Sequence, residues 1–136
     1  MNREKRRLMV ILNFFFLLLL WVGFYLSRLL GYPIPLLILA GSGLILLIIS
    51  FLQLYIKTGL WSLVHSSFSK LDERQIQSIY KALRFSYSIF TILILIVIYS
   101  NFVLGIAFID AVLGIILIYL AHILPAAILA WTEKEL

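Results

Sequence analysis

Residues 8–30, LMVILNFFFLLLLWVGFYLSRLL, decide the fold of this chain. Apolar side chains fill the stretch, and only Asn13 and Arg28 in it are strongly polar. A helix needs about 20 apolar residues to cross the hydrocarbon core of a bilayer. Basic residues precede the stretch, as in a signal peptide, but the apolar part of a signal peptide is usually only about 7 to 15 residues long. We therefore expect an uncleaved membrane-spanning helix.

The rest of the chain shares this composition. Of its 136 residues, 64% are apolar and 12% are charged, with a mean hydropathy of +1.14. A soluble domain is about half apolar and about a quarter charged. We predict an all-α fold in a single membrane domain over residues 1–136: an integral membrane four-helix bundle made of two transmembrane hairpins. Its predicted spans are residues 8–30, 35–56, 83–104 and 110–131.

One substantial polar segment, about residues 59–82, separates the second span from the third. Its first half has apolar residues at helical spacing, which predicts a short helix at the membrane interface with Trp61 among the lipid headgroups. Its second half contains two alternative helix-capping pairs, Ser69 with Asp72 or Asp72 with Gln75. We expect the capped helix to continue directly into the third span.

Positive charge indicates the orientation of the chain. Every lysine and arginine except Arg28 lies at the N-terminus, in residues 57–84 or at the C-terminus. Because positively charged segments stay in the cytoplasm, we expect both termini and the central segment, residues 59–82, to be cytoplasmic. The net charge of +5 is distributed over the ends of apolar stretches. It therefore predicts contact with a lipid bilayer and no nucleic acid partner.

His122 is the ionisable residue that the pattern places near mid-membrane, and Pro125 follows it by three positions. A proline here removes one helical hydrogen bond and frees the carbonyl of Ala121. Ionisable groups at this depth are costly, and this makes them candidate functional groups. Two interpretations remain open. His122 is either a neutral side chain that bonds to a neighbouring helix and stabilises a kink, or a polar group that lines a functional cavity.

Asp110 is the acidic residue that lies outside the cytoplasmic groups. It is placed to cap the fourth helix or to pair with Arg28 at the outer face. The functional alternative is a carboxylate that carries protons or binds a cation near the outer surface. We expect the structural role, and a large separation between the two side chains would exclude the pairing.

Three neighbouring charged residues, Asp72, Glu73 and Arg74, lie on the largest predicted cytoplasmic surface. They can dock a cytoplasmic partner through their charges. They can also be a solvated helix start, because acidic side chains stabilise the N-terminus of a helix without any partner. The sequence leaves both interpretations open.

The sequence contains none of the common catalytic or cofactor-binding motifs. It has no cysteine, which excludes disulfides, thiolate metal sites and cysteine nucleophiles. It also lacks a phosphate-binding loop, a zinc-protease motif and a nucleophile elbow. His65 and His122 have the chemistry to hold a haem or a metal, but His65 lies outside the predicted spans. We therefore predict no cofactor and no enzymatic activity.

Two short motifs, LDERQ at 71–75 and LPAAILAW at 124–131, resemble those of uncharacterised short bacterial four-span membrane proteins. Those proteins carry an L-D-E-R-E-like motif between two transmembrane hairpins. The resemblance covers roughly the second half of the chain, and Gln75 departs from it where glutamate is expected. It implies a location in the bacterial inner membrane. Small multidrug-resistance transporters have a similar size, but they depend on a glutamate in the first helix that this chain lacks.

The pattern supports two functional hypotheses. The first is a non-enzymatic accessory or scaffold subunit that packs against other membrane protein subunits or against itself. It would use the small residues at 40–43, which let helix backbones approach closely, and the cytoplasmic segment. The second is an oligomeric transporter of a small solute or ion, with a pathway lined by His122 and Asp110 and by Asn101 or Tyr119. Loss of flux on replacing His122 would favour the second.

Overall fold

The computed structural model describes residues 1–105 and 109–133, and the regular elements in them are helical. The main helices are α1 Arg3–Leu29, α2 Ile34–Phe51, α3 Leu60–His65, α4 Glu73–Leu104 and α5 Ala111–Thr132. A π-helical turn, Leu52–Ile56, continues α2, and a 3₁₀ turn, Phe68–Lys70, follows α3. Four helices (α1, α2 with its π turn, α4 and α5) are long and apolar enough to cross a membrane, which confirms the all-α prediction.

The helix boundaries refine the predicted spans. The first span is part of a longer helix, because α1 already begins at Arg3 among the basic residues. The third predicted span, residues 83–104, forms about the last two thirds of α4, as expected for a helix that starts in the polar segment. The predicted interfacial helix is short, since α3 ends at His65. Residues 105–109, between the third and fourth predicted spans, and residues 132–136, after the fourth, lie partly outside the described residues.

Local signals explain where the helices begin and end. The Asn2 side chain accepts a hydrogen bond from the Lys5 amide at 2.9 Å and caps α1. The Asp72 carboxylate accepts from the Gln75 amide at 2.7 Å, while the Gln75 side chain accepts from the Asp72 amide at 3.2 Å. This capping box selects the second of the two predicted pairs. Gly105 ends α4 with a φ of 62°, a left-handed conformation that glycine adopts without a steric cost.

The long helices pack in the order α2, α1, α5, α4. Extensive contacts join α1 to α2, α4 to α5 and α1 to α5. Residues 123–130 of α5 lie at the centre of the main core and are buried except for Ile128, which is partly exposed. Leu54 and Tyr55 of the π turn and Leu60 of α3 complete this core and are fully buried. The short α3 is therefore packed against the helices as well as amphipathic.

Two glycines set the distance between α1 and α2. A Cβ atom on Gly43 would lie 2.9 Å from the backbone nitrogen of Leu20, and one on Gly23 would lie 3.1 Å from that of Ala40. Real Cβ atoms hardly ever approach other atoms so closely. Ala40 and Gly43 therefore bring α2 close to α1 of the same chain, whereas the packing of residues 40–43 against a partner subunit stays a prediction. Gly41 has no neighbour within 4 Å of a built Cβ and takes no part in the contact with α1.

Candidate functional site

Asp110 and Arg28 are in direct contact. Asp110 Oδ2 accepts a hydrogen bond from Arg28 Nη1 at 2.7 Å, and Asp110 Oδ1 accepts one from the Leu113 amide at 2.8 Å. One carboxylate therefore caps α5 and pairs with α1, so both predicted structural roles are present. The pair is partly exposed, and ion pairs in such surroundings contribute roughly 1 kcal/mol or less in water.

At the opposite end of the molecule, three arginines of α1 bind the backbone at the end of α5. Arg6, only 2% exposed, donates to the Glu133 carbonyl at 2.7 Å. Arg7 donates to the Trp131 carbonyl at 3.2 Å, and Arg3 donates to the Thr132 carbonyl at 3.4 Å. These carbonyls have no partner within the helix, and positive charge is favourable at a helix C-terminus. Residue spacing does not reveal this role, because basic residues at a helix start indicate only the orientation of the chain.

His122 lies on an exposed side of α5, beside a groove of about 370 Å³. Apolar residues of α1, α2 and α5 line most of this groove, together with Tyr119 and Trp61. His122 Nδ1 lies 2.8 Å from the Ile118 carbonyl. Because a carbonyl can only accept, Nδ1 carries the proton of this bond. The partner is thus on the same helix, and the predicted bond from His122 to a neighbouring helix is not observed.

Pro125 is buried within α5, and the helix continues through it.

His122 and Asp110 are twelve positions apart on the same helix, a separation of about 18 Å at 1.5 Å per residue. The structure therefore does not bring together the two residues that the transporter hypothesis placed on one pathway. Asp110 is engaged by Arg28, whereas His122 faces an apolar groove.

A buried polar cluster joins three helices between these two ends. Asn13 of α1 is fully buried, and its side-chain nitrogen donates to Ser50 Oγ of α2 at 2.8 Å. Its side-chain oxygen accepts from the Tyr119 hydroxyl of α5 at 3.0 Å. Ser50 in turn donates to the Leu47 carbonyl at 2.9 Å. Asn13 had stood out as a polar residue in an apolar stretch, but the sequence did not indicate its partners.

Tyr55 adds a second buried hydroxyl near this cluster. Its side chain is fully buried, and its hydroxyl makes no hydrogen bond to any described residue. Its ring centroid lies 5.7 Å from that of Phe51, which also lies 6.3 Å from that of Tyr119. The π-helical turn contains Tyr55, and such turns are often found at functional positions. The sequence contained no signal for this turn.

Asp72 and Arg74 line a polar cleft of about 360 Å³ between α3, the start of α4 and the end of α5. The other polar residues in its lining are Thr58, Gln75, Ser78 and Glu133. Asp72 is engaged in the capping box, while Glu73 and Arg74 are exposed. The capping box shows the predicted helix start, while the docking of a cytoplasmic partner beside Asp72 and Arg74 stays a prediction.

The histidines are not arranged as metal ligands in the described part of the chain. His65 stacks on Trp61 at 4.1 Å between ring centroids, and its Nδ1 lies 2.8 Å from the Trp61 carbonyl. Among residues 1–105 and 109–133, no group of three or more His, Asp or Glu side chains is placed to hold a metal ion. The polar chemistry of the described residues therefore consists of interhelical bonds, helix caps and one charged cleft.

Comparisons with known proteins do not assign the chain to a family. No protein-family model, no curated protein and no solved structure gives a significant match. The resemblance of residues 71–75 and 124–131 to short bacterial four-span proteins therefore stays a prediction. The capping box shows that Gln75 performs the task of the expected glutamate, since either side chain can accept from the capping residue's amide.

Proposed function

We propose that the chain is a non-enzymatic integral membrane protein, an accessory or scaffold subunit that binds a partner membrane protein along α4. The observation that carries this proposal is the position of α4 at the edge of the helix packing. None of the 18 consecutive residues that form the most apolar part of α4 is buried. In the most apolar 18 residues of α5, 44% are buried. Its extensive contacts are made with α5 alone.

The exposed face of α4 is rich in large side chains. Phe85, Tyr87, Ile92, Tyr99 and Phe102 are all at least 59% exposed. Aromatic residues are enriched in interfaces between proteins. The charged cleft beside the start of α4 lies on the same helix and extends this surface toward the solvent. A partner that packs along α4 would therefore contact both the apolar face and Arg74.

Site-specific photocrosslinking tests the proposal in native membranes. A benzophenone amino acid at Ile92 on α4 is expected to form a discrete adduct with another membrane protein. The matched control is Ile45 on α2, which is 60% exposed, close to the 59% of Ile92, and should contact mainly lipid. An adduct at both positions, or at neither, would contradict a partner specific to α4. An adduct with twice the mass of the chain would show that α4 binds a second copy of this chain instead of a different membrane protein.

We also propose a location in the bacterial inner membrane with both termini in the cytoplasm. Support comes from the two ends of α1. Its basic start contacts the end of α5, and Arg28 at its end contacts Asp110 at the start of α5. The two helices are therefore antiparallel over their full length, which brings residues 3 and 132 to the same end of the molecule.

Cysteine labelling tests this orientation, because the chain has no native cysteine. With a membrane-impermeant maleimide applied to intact cells, Leu30→Cys is expected to react. Ser69→Cys is expected to react only after the membrane is permeabilised. Both positions are exposed, so access to the reagent is controlled by the membrane. The reverse pattern would place the termini outside.

The alternative function, a transporter that uses His122 and Asp110, is weakened by the geometry described above. The two residues are about 18 Å apart along α5, and Asp110 is already paired with Arg28. The groove beside His122 is lined almost entirely by apolar side chains, whereas a path for ions or polar solutes needs polar groups to replace their water. We therefore favour the scaffold.

A further inference from the structure

An apolar groove of about 320 Å³ runs between α1 and α4, with α5 as its floor. Its walls include Val10 and Phe14 of α1, Ile89 of α4, and Leu124, Ile128 and Trp131 of α5. From Leu124 to Thr132 the groove follows eight residues of α5, or about 12 Å. It is thus a narrow apolar channel, open along its side, of a length that suits part of a fatty acyl chain.

Two partly exposed arginines lie at the end of this groove. Arg7 donates to the carbonyl of the lining residue Trp131, and its Cζ atom lies 5.0 Å from the centre of the Trp131 ring. Arg3 donates to the carbonyl of the neighbouring lining residue, Thr132. Both guanidinium groups are therefore held by residues that form the groove.

Most hydrogen-bond donors of these two arginines have no partner among residues 1–105 and 109–133. A guanidinium has five N–H donors, and each of the two donates only once to the residues that the structure describes. Arg3 Nε is buried and has no partner among those residues. Neither side chain forms an ion pair with a described carboxylate, because Arg28–Asp110 is the one salt bridge in residues 1–105 and 109–133.

We propose that this groove binds an anionic phospholipid, with its phosphate on Arg3 and Arg7 and one acyl chain along α5. Guanidinium groups bind phosphate through parallel, charge-assisted hydrogen bonds. Basic pockets between membrane helices are known as headgroup sites for anionic lipids. The apolar groove explains why the ligand is a lipid, because a free phosphate would leave the groove empty. The inference relies on the membrane insertion proposed above but not on a protein partner.

Titration of the purified full-length chain by native mass spectrometry tests the site. In detergent, dioleoylphosphatidylglycerol is expected to bind saturably and with a higher affinity than dioleoylphosphatidylcholine. Arg3→Gln and Arg7→Gln are each expected to weaken binding of the anionic lipid about fivefold. Lys5→Gln is the matched control, since Lys5 is exposed and, unlike Arg3 and Arg7, its side chain makes no described bond to a residue that lines the groove. Equal weakening by Lys5→Gln would show a general surface-charge effect and overturn the proposal.

A second pair of variants tests the acyl-chain part without changing any charge. Ile89→Trp places a large ring in the wall of the groove, whereas Ile92→Trp adds the same ring to an exposed position of α4 outside it. The first is expected to weaken lipid binding several-fold more than the second. Equal affinities of the two variants would exclude the groove as the binding site. These measurements use purified protein, so they are independent of the crosslinking result for α4.

Discussion

Replacing Gly43 with leucine is expected to destabilise the chain by about 3 kcal/mol, because overpacking at a close contact forces backbones apart. A Cβ atom at this position would lie 2.9 Å from the Leu20 nitrogen and 3.2 Å from the Leu20 Cα. Both are backbone atoms of α1 and cannot move without shifting the helix. The contact between α1 and α2 is extensive, so the whole pairing would be strained.

Reversible unfolding in mixed micelles, followed by circular dichroism, measures this change. Gly41→Leu is the matched control in the same helix, because a built Cβ on Gly41 has no neighbour within 4 Å. Leucine in a helix is favoured over glycine by nearly 1 kcal/mol, so the control should be neutral or slightly stabilising. If the two variants unfolded at the same denaturant concentration, the close approach at Gly43 would not limit the packing of α1 on α2.

Replacing Asn13 with leucine is expected to destabilise the chain by about 2 kcal/mol. The change removes a buried group that donates to Ser50 and accepts from Tyr119. Ser50 keeps its bond to the Leu47 carbonyl, but the Tyr119 hydroxyl loses its observed acceptor. Most of the expected loss of stability comes from this hydroxyl, because a hydroxyl without a hydrogen-bond partner is unfavourable in surroundings without water.

A double-mutant cycle with Tyr119→Phe separates this cost from other effects. Tyr119→Phe removes one interhelical hydrogen bond, and such bonds contribute about 0.6 kcal/mol on average in membranes. The double variant Asn13→Leu with Tyr119→Phe should lose less stability than the sum of the two single variants, because phenylalanine leaves no orphaned hydroxyl. Strict additivity in the same unfolding assay would contradict the coupling of the two side chains.

Part of the candidate site was predictable because it depends on short-range rules. Asp110 stands alone before an apolar stretch, and Arg28 stands alone at the end of another. The end of the first predicted span and the start of the fourth were expected at the same outer face, so the ion pair could be anticipated before the contact at 2.7 Å was seen. The capping box of Asp72 and Gln75 is equally local, since it needs only a spacing of three residues.

The remaining polar contacts were not predictable from residue spacing. Asn13, Ser50 and Tyr119 belong to three helices that are distant in sequence, and their meeting depends on how each helix is rotated about its axis. In a soluble helix an apolar stripe reveals that rotation. Here apolar residues surround each of the four long helices, so the pattern contains little information about which face packs. The π-helical turn at Tyr55 and the role of Arg6 at the end of α5 were not predictable either, because both depend on how the helices pack.

By itself, the sequence determined the number of long apolar helices, their approximate bounds, the cap of α5 at Asp110 and a choice of two caps for α4. These features depend on hydrophobic length and on hydrogen bonds between near neighbours. Only the tertiary structure decided that α5 lies at the centre and α4 at the edge, and that an apolar groove of about 320 Å³ separates α1 from α4. These features depend on the fit between helix surfaces, where glycines such as Gly43 and buried groups such as Asn13 select one packing among many similar apolar ones.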